Sequence, residues 1–249
     1  MIELLIELLE VQKSFGSCAV LRGISLSIKT GTTLGLIGES GSGKTTLAHL
    51  LLGRESLTGG QILFEGRDVA SFSAKEKKTF QHAVQMVFQN PYSSLNSRMQ
   101  IWQILEEPPR VQGRKSKYSI AELLTIVGLK PEDAWRYPHQ FSGGELQRIA
   151  IARALAASPR LLIFDEPLAS LDLPAQVELI TLFQKIQREL GMTFFFISHQ
   201  LPAIKLLATE VAILKDGKIE EMGMTTEIFT RPHSDYTRML LKATPLIAF

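Results

Sequence analysis

A glycine-rich turn between an apolar run and a helical pattern constrains the fold of this chain most. Residues 33–37 are typical of a buried strand, and residues 45–52 have helical periodicity. The turn between them has the spacing Gly, four residues, Gly-Lys-Thr, and consists of Gly38, Glu39, Ser40, Gly41, Ser42, Gly43, Lys44 and Thr45. A strand, a glycine-rich turn and a helix in this order indicate an α/β fold with an anion site at the helix N-terminus.

The residue types in this turn favour phosphate as the anion. Glycines allow successive backbone N–H groups to approach phosphate oxygens closely. Lys44 would reach the β- and γ-phosphates of a nucleotide, Thr45 would offer its hydroxyl to Mg²⁺, and Thr46 would touch an inner phosphate. The alternative is a flexible Gly/Ser turn, which leaves the flanking strand and helix unexplained. The turn therefore predicts nucleotide binding.

Two adjacent carboxylates, Asp165 and Glu166, follow the apolar run 161–164. Ligands of open α/β sheets bind at the carboxyl ends of the strands, so we expect both acids at the edge that carries the turn. Successive strand residues point to opposite faces, which gives the two acids different roles. We expect Asp165 to hold Mg²⁺ and Glu166 to orient and deprotonate an attacking water. The alternative is a pair of acids capping an exposed strand end.

Two further polar residues follow apolar runs. His199 comes after residues 193–198 and Gln89 after residues 86–88, so both are expected at the same sheet edge. We interpret His199 as a sensor of the γ-phosphate, the alternative being a structural histidine. Taken alone, Gln89 would be an ordinary polar loop residue.

A second turn is suited to bind an anion. Ser142, Gly143 and Gly144 open a helix rich in Ala, Ile and Leu that continues through residues 149–157. The alternative is a serine N-cap with glycines in the adjoining loop. The chain thus has two turns that could contact phosphate but one pair of carboxylates, which is unusual for an enzyme whose site is complete within a single copy.

Composition excludes several classes of protein. With 27 Lys and Arg against 25 Asp and Glu, the net charge is +2, so a dedicated nucleic-acid binder is not expected. The single cysteine, Cys18, excludes an internal disulfide and a cysteine-rich metal site. Acids at positions 3, 7 and 10 argue against an export signal. There is no apolar run of about eighteen residues, so no membrane-spanning segment is expected.

Together these motifs resemble the nucleotide-binding subunit of ATP-binding cassette (ABC) transporters over nearly the whole chain. Residues 38–45 match the Walker A loop and residues 161–165 match Walker B. The other matches are Gln89 with the Q-loop, Ser142-Gly143-Gly144 with the signature, Glu166 with the catalytic glutamate, Ser170-Leu171-Asp172 with the D-loop, and His199 with the switch histidine. Phe15 falls where the family places an aromatic residue that stacks on adenine.

The resemblance implies an architecture. It is a P-loop NTPase (RecA-like) α/β core with an antiparallel β subdomain and an α-helical signature subdomain. We expect a single ABC ATPase domain over residues 1–249, with the core at 1–90 and 158–230, the helical subdomain at 91–157 and a C-terminal tail at 231–249.

The resemblance also implies a mechanism. ATP and Mg²⁺ are the cofactors, with Gln89 among the catalytic and metal-contacting residues. Two ATPase subunits, identical or paralogous, pair head to tail, so that the signature of one covers the γ-phosphate on the Walker A loop of the other. The dimer drives transmembrane permease subunits from the cytoplasmic face of the membrane, and an extracytoplasmic solute-binding protein is an indirect partner. No nucleic acid partner is expected.

Further residues resemble the branch that imports oligopeptides, dipeptides and nickel. They are residues 88–96, 103–108, 137–142 and 236–238. We expect a peptide as cargo, with nickel or another chelated metal as the alternative. The chain departs from the family pattern at Glu145, which replaces the usual signature Gln, in a looser D-loop at 168–172, and at Ser234-Asp235.

Two alternatives come from other classes of protein. A soluble ABC ATPase acting on nucleic acid or ribosomes would usually carry two cassettes or a coiled-coil insertion. A P-loop kinase would leave the signature and His199 without a role.

Three segments outside these motifs complete the sequence-based expectations. Residues 71–78 and 106–119 are polar, and we predict surface loops there. The basic residues Arg110, Arg114, Lys115 and Lys117 would form a solvated face. Residues 211–222 predict a hairpin with a turn at Asp216-Gly217.

Overall fold

The computed structural model describes residues 3–169 and 171–243. Its strands are β1 (Leu4–Phe15), β2 (Cys18–Lys29), β3 (Thr33–Ile37), β4 (Gly59–Phe64), β5 (Arg67–Asp68), β6 (Val84–Val87), β7 (Leu161–Asp165), β8 (Thr193–Ile197), β9 (Glu210–Lys215) and β10 (Lys218–Met224). Its α-helices are α1 (Lys44–Leu51), α2 (Ala74–Ala83), α3 (Pro91–Ser94), α4 (Ile101–Val111), α5 (Ile120–Ile126), α6 (Gly143–Ala156), α7 (Leu173–Leu190), α8 (Leu201–Leu207), α9 (Thr225–Thr230) and α10 (Asp235–Ala243). Short 3₁₀ turns lie at Val69–Ser71, Pro131–Trp135 and Pro138–Gln140.

A six-stranded sheet in the order β10-β9-β3-β8-β7-β6 forms the centre of the fold. Strands β9, β3, β8, β7 and β6 are parallel, and β10 joins antiparallel to β9. All residues of β3 and β8 are buried because apolar clusters cover both faces of the sheet. The predicted strand at 33–37 is confirmed with the same bounds, and the strands predicted at 86–88 and 161–164 are observed at Val84–Val87 and Leu161–Asp165.

A second sheet is antiparallel, in the order β2-β1-β4-β5, and forms the expected β subdomain. Its β2 strand reaches the central sheet at the turn between β9 and β10, where Arg22 N donates to Gly217 O at 2.8 Å. Gly217 has φ of 76°, and a Cβ there would lie 2.2 Å from Val20 O, so this close approach requires glycine. The antiparallel pairing of β9 with β10 confirms the hairpin predicted around Asp216-Gly217.

The two predictions of surface loops are wrong in part. Residues 74–83 form α2, because Ser73 and Glu76 make a reciprocal capping box that starts a helix within a polar segment. Residues 106–111 belong to α4, which contains Pro108 and Pro109 in its last turns and is held by a buried apolar face.

The four basic residues of the cluster 110–117 are exposed, as predicted, but one of them also makes a structural contact. Arg114 Nη2 donates to Ala157 O at 2.7 Å, where Ala157 is the C-cap of α6. A cation at this end of a helix complements the unpaired carbonyls of the last turn. Arg114 therefore has a structural role.

Four phenylalanines form the apolar layer under one face of the sheet. Phe164 lies 4.4 Å from Phe196 and 4.7 Å from Phe183 between ring centroids, and 5.2 Å from Phe194. The rings come from β7, β8 and α7. Because Phe164 directly precedes Asp165, this cluster fixes the strand end that carries the two acids.

No helix within the described ranges 3–169 and 171–243 is long and apolar enough to cross a membrane.

Replacing Phe164 by Ala should lower the free energy of unfolding by about 3–5 kcal/mol, because it leaves a cavity among the three other rings. Denaturant unfolding measures this change. Val177→Ala, on the exposed side of α7 with 42% of the residue exposed, should stay within about 0.5 kcal/mol of the wild type. Equal effects of the two substitutions would contradict the packing described here.

Candidate functional site

The glycine-rich turn wraps the N-terminus of α1 in a conformation that other residues adopt poorly. Gly43 is the N-cap of α1 with φ of 109°, and Gly41 has φ of 81°. A Cβ at Gly38 would lie 2.3 Å from Leu214 O on β9, so this position has no room for a side chain. Lys44 Nζ donates to Gly38 O and to Glu39 O, both at 2.7 Å. The ammonium group thus closes the loop across its open centre.

The loop lines a cavity of about 570 Å³ at the carboxyl ends of the parallel strands. Residues 38–41 and 43–46 contribute, together with Val20, Gln89, Asp165, Glu166 and His199. The prediction that these residues meet at one sheet edge agrees with this arrangement. Val20, on β2, was not singled out from the sequence, and only its apolar type gave a signal there.

Asp165 and Thr45 form the polar floor of the cavity. Thr45 Oγ1 donates to Asp165 Oδ2 at 3.2 Å. Burial raises the pKa of Asp165 above its ordinary value, the hydrogen bond from Thr45 opposes this, and the Glu166 carboxylate adds to it. Burial lowers the pKa of Lys44, and the nearby acids oppose that change. A carboxylate and a hydroxyl in contact are the oxygen ligands that Mg²⁺ prefers, and a cation would relieve the disfavoured charge on Asp165.

Glu166 leaves the strand by a turn rather than by continuing it. Its φ is +50°, and its N–H donates to Ile197 O on β8 at 2.9 Å. The carboxylate accepts from His199 N at 3.0 Å and from Ser198 Oγ at 3.2 Å, and it contacts His199 Nδ1 at 2.8 Å. Glu166 is therefore held by three groups from one neighbouring strand end, which keeps its orientation separate from that of Asp165.

Ser198 is the residue that sequence reasoning missed in this part of the site. It is 2% exposed, and besides contacting Glu166 its hydroxyl accepts from Gln200 N at 3.0 Å. The available signal was a small polar residue between a buried strand and a candidate histidine. The His199 side chain itself is 64% exposed and reaches the cavity mouth.

Two of the predicted ligands do not line this cavity. Ser42 is 7% exposed, and its hydroxyl is buried without a hydrogen-bond partner among the described residues. Phe15 lies at the tip of the β1–β2 hairpin, 48% exposed, with Lys13 Nζ 4.6 Å from its ring centroid. The exposed ring of Phe15 is available for stacking, but the apolar side chain that lines the cavity is that of Val20.

The signature residues Ser142, Gly143 and Gly144 line a different cavity, also of about 570 Å³. It shares no lining residue with the cavity around Lys44. Ser142 is the N-cap of α6, and Glu145 completes a capping box, its carboxylate accepting from Ser142 N at 2.8 Å and from Ser142 Oγ at 2.9 Å. One copy of the chain therefore does not bring its two anion-binding turns together.

The D-loop motif lies beside the signature. Ser170 is outside the described residues. Asp172 caps α7, accepting from Ala175 N at 3.0 Å, and it lines the cavity of Ser142 together with Leu171. Glu145, which replaces the usual signature glutamine, has a structural role beside the signature, because its carboxylate caps the N-terminus of α6 together with Ser142.

Substituting Gly38 with Ala should weaken binding of a fluorescent ATP analogue by about tenfold or more, since the loop must shift to relieve the contact with Leu214 O. Gly113→Ala is the control, because Gly113 does not line the cavity, a Cβ there would have nothing within 4 Å, and its φ of +69° makes any side chain strained. It should cost about 1–2 kcal/mol of stability and leave nucleotide affinity unchanged. Unaltered affinity in the Gly38 variant would exclude this loop as the binding site.

Comparison with known sequences identifies close relatives. The family model described as ABC transporter matches residues 21–169. The oligopeptide transport ATP-binding protein OppF of Lactococcus lactis subsp. lactis (strain IL1403) is 42% identical over 229 residues, which cover 90% of this chain and 72% of that protein. The dipeptide transport ATP-binding protein DppF of Escherichia coli (strain K12) is also 42% identical over 229 residues, covering 90% and 69%.

Solved structures agree with this result. The protein cbiO1 of Clostridium perfringens, part of the ABC transporter complex cbiONQ, has a TM-score of 0.81 and 26% identity, with 92% of each chain covered. MJ1267, an ATP-binding cassette in its ADP conformation, has the same fold with a TM-score of 0.81 at 20% identity, covering 97% of this chain and 99% of that one. The chain therefore belongs to the ABC transporter family, as an ATP-binding subunit and ATPase of the branch that contains OppF and DppF.

Proposed function

We propose that this ATPase energises an importer of peptides. The ATPase part of the proposal is supported by the cavity in which the loop 38–45, Asp165, Glu166 and His199 converge. The signature residues line a second cavity. Peptide cargo is inferred from OppF and DppF, whose names assign them to oligopeptide and dipeptide transport. Nickel or a chelated metal is the alternative cargo. Identification of the proteins that copurify from gently solubilised membranes distinguishes the two.

The residues of the cavity fit ATP with Mg²⁺. Backbone N–H groups of residues 38–45 and the Lys44 ammonium would hold the phosphates, exchanging the two carbonyl partners of Lys44 for phosphate oxygens. Thr45 and Asp165 would hold Mg²⁺, which when bound neutralises charge that develops on the phosphates. Gln89, exposed at the cavity wall, would contact the same ion.

Glu166 is the proposed general base. Its carboxylate lines the cavity with its side chain 15% exposed, and Ser198 and His199 fix its direction. A base oriented in this way would take the proton of a water aligned with the γ-phosphate. His199 would contact the γ-phosphate from the more exposed position that its ring occupies.

Separate cavities support a head-to-tail dimer. The face of Ser142, Gly143 and Gly144 would seal the ATP held on the Walker A loop of a second subunit, identical or paralogous. Two bound ATP molecules would then hold the dimer closed, and hydrolysis would release it. ATP drives such closure only through its higher affinity for the closed state.

The helical subdomain is proposed to transmit closure to permease subunits. We assign it residues 91–157, the core 1–90 and 158–230, and the tail 231–249. A groove of about 420 Å³ separates α4 and α6 from the core and contains Arg54, Phe88, Glu107 and Arg153. Arg153 on α6 pairs with Glu107 on α4 at 3.0 Å, so this ion pair joins the two helices on one side of the groove. We assign this groove to a cytoplasmic segment of the permease, because any rotation between core and helices changes its width.

This assignment places the protein on the cytoplasmic face of the membrane, with an extracytoplasmic solute-binding protein as an indirect partner. No nucleic acid partner is proposed. Salt-sensitive binding of DNA or RNA to the purified protein would favour the alternative of a soluble ABC ATPase.

Glu166→Gln should retain ATP binding, lower the hydrolysis rate by about 10²- to 10⁴-fold and accumulate an ATP-dependent dimer, because the amide keeps the shape but accepts no proton. Phosphate release and light scattering measure these effects. Lys44→Ala is the comparison and should lose nucleotide binding or turnover without forming a dimer. An unaltered rate in the Glu166 variant would remove this residue from its proposed role.

Asp165→Asn should have opposite effects on the stability of the nucleotide-free protein and on its stabilisation by Mg²⁺. Because burial disfavours the charged carboxylate, the neutral amide should raise the melting temperature of the nucleotide-free protein. The further stabilisation by ATP with Mg²⁺ over ATP with EDTA should be lost, since a metal ligand is gone. Thermal unfolding under both conditions checks this. Full Mg²⁺-dependent stabilisation in the variant would exclude Asp165 as a ligand.

A further inference from the structure

The C-terminal helix α10 lies against the start of the Walker A loop. Ile37 at the end of β3 pairs with Ile213 on β9, and the next residue, Gly38, lies so close that a Cβ there would be 2.3 Å from Leu214 O. Lys215 Nζ lies 4.4 Å from the centroid of the Tyr236 ring. The Glu39 carboxylate acts on the pKa of Tyr236, so the hydroxyl of Tyr236 lies next to this residue of the loop.

The segment that precedes Tyr236 is held by hydrogen bonds to β10. Glu221 on β10 accepts from His233 N at 2.8 Å and from Ser234 N at 3.1 Å. Ser234 Oγ donates to Glu220 at 2.7 Å and accepts from Tyr236 N at 3.2 Å. The chain that leads into α10 is therefore fixed to the hairpin that also supports Gly38.

The hydroxyl of Tyr236 is buried and has no hydrogen bond of good geometry within the described part of the chain. Burial and the adjacent Glu39 carboxylate raise the pKa of Tyr236 to about 12, so the hydroxyl is a proton donor at neutral pH. A buried donor without a partner is costly, and such groups recur at functional positions. Glu39 is the acceptor within reach.

The negative charge of Glu39 lies beside the proposed phosphate site. This residue lines the cavity, and where burial lowers the pKa of Lys44 the Glu39 carboxylate opposes this, so its charge lies close to the place of the phosphates. A carboxylate that is free to turn towards this place would repel the phosphates of a nucleoside triphosphate.

We propose that Tyr236 is a positioning residue for nucleotide binding, whose hydroxyl donates to the Glu39 carboxylate and holds that charge away from the phosphates. The inference rests on the proposed binding of phosphates by residues 38–45. It assigns the C-terminal helix a direct role in setting the affinity for ATP. Neither the Walker motifs nor the signature includes this contact.

Tyr236→Phe tests the proposal, because it removes the hydroxyl and keeps the ring under Lys215. ATP should bind about tenfold more weakly, the loss expected for a hydrogen bond to a charged group, while the rate at saturating ATP stays within twofold. In the Glu39→Gln background the same substitution should have no effect on affinity, since the repelling charge is absent. A merely structural role would weaken binding equally in both backgrounds.

Tyr118→Phe, the same change on the helical subdomain, is the control and should leave ATP affinity unaltered. Equal ATP affinity of wild type and Tyr236→Phe, or an equal loss with and without Glu39, would overturn the inference alone. A wild-type protein that binds no ATP in the same titration would instead overturn the proposed function.

Discussion

The register of three parallel strands is the constraint on which the site depends. Asp165 on β7 pairs with Ile197 on β8, and Ile197 pairs with Leu36 on β3. The residues just beyond these positions therefore meet at one edge, although those after Leu36 precede the others by more than a hundred positions. A shift of one residue in either pairing would reverse the faces on which the acids point. The phenylalanine cluster and the all-apolar strands β3 and β8 hold this register.

Electrostatics at that edge prepares the cavity for a charged ligand. Lys44 is closed over its own loop by two carbonyls, and Asp165 is buried with a carboxylate neighbour. A phosphate would give the Lys44 ammonium a charged partner, and a divalent cation would stabilise the buried charge of Asp165. Glu166 differs because Ser198 and His199 already satisfy it. Binding energy is thus available at the ammonium and at Asp165, while the proposed base is oriented before any ligand arrives.

Most of the central sheet and the composition of the cavity could be predicted from the sequence. Apolar runs followed by glycine or polar residues mark strand ends, and parallel topology brings those ends together. The helices α2 and α4 could not be predicted in the same way, because α2 is largely polar and depends on the capping pair Ser73 and Glu76, while α4 tolerates two prolines through tertiary burial. Ser198 gave no motif signal, and the resemblance at residues 236–238 did not indicate the contact of Tyr236 with the loop, since both contacts follow from packing between distant segments.

In the proposed dimer, the signature of one subunit completes the site of the ATP held by the other. A structure of Glu166→Gln with ATP and Mg²⁺ measures this directly. We expect phosphates on residues 38–45 and, within hydrogen-bonding distance of the γ-phosphate, Ser142 and Gly144 of a second subunit. A nucleotide bound elsewhere, or a γ-phosphate that faces solvent while residues 142–144 remain uncovered, would contradict it.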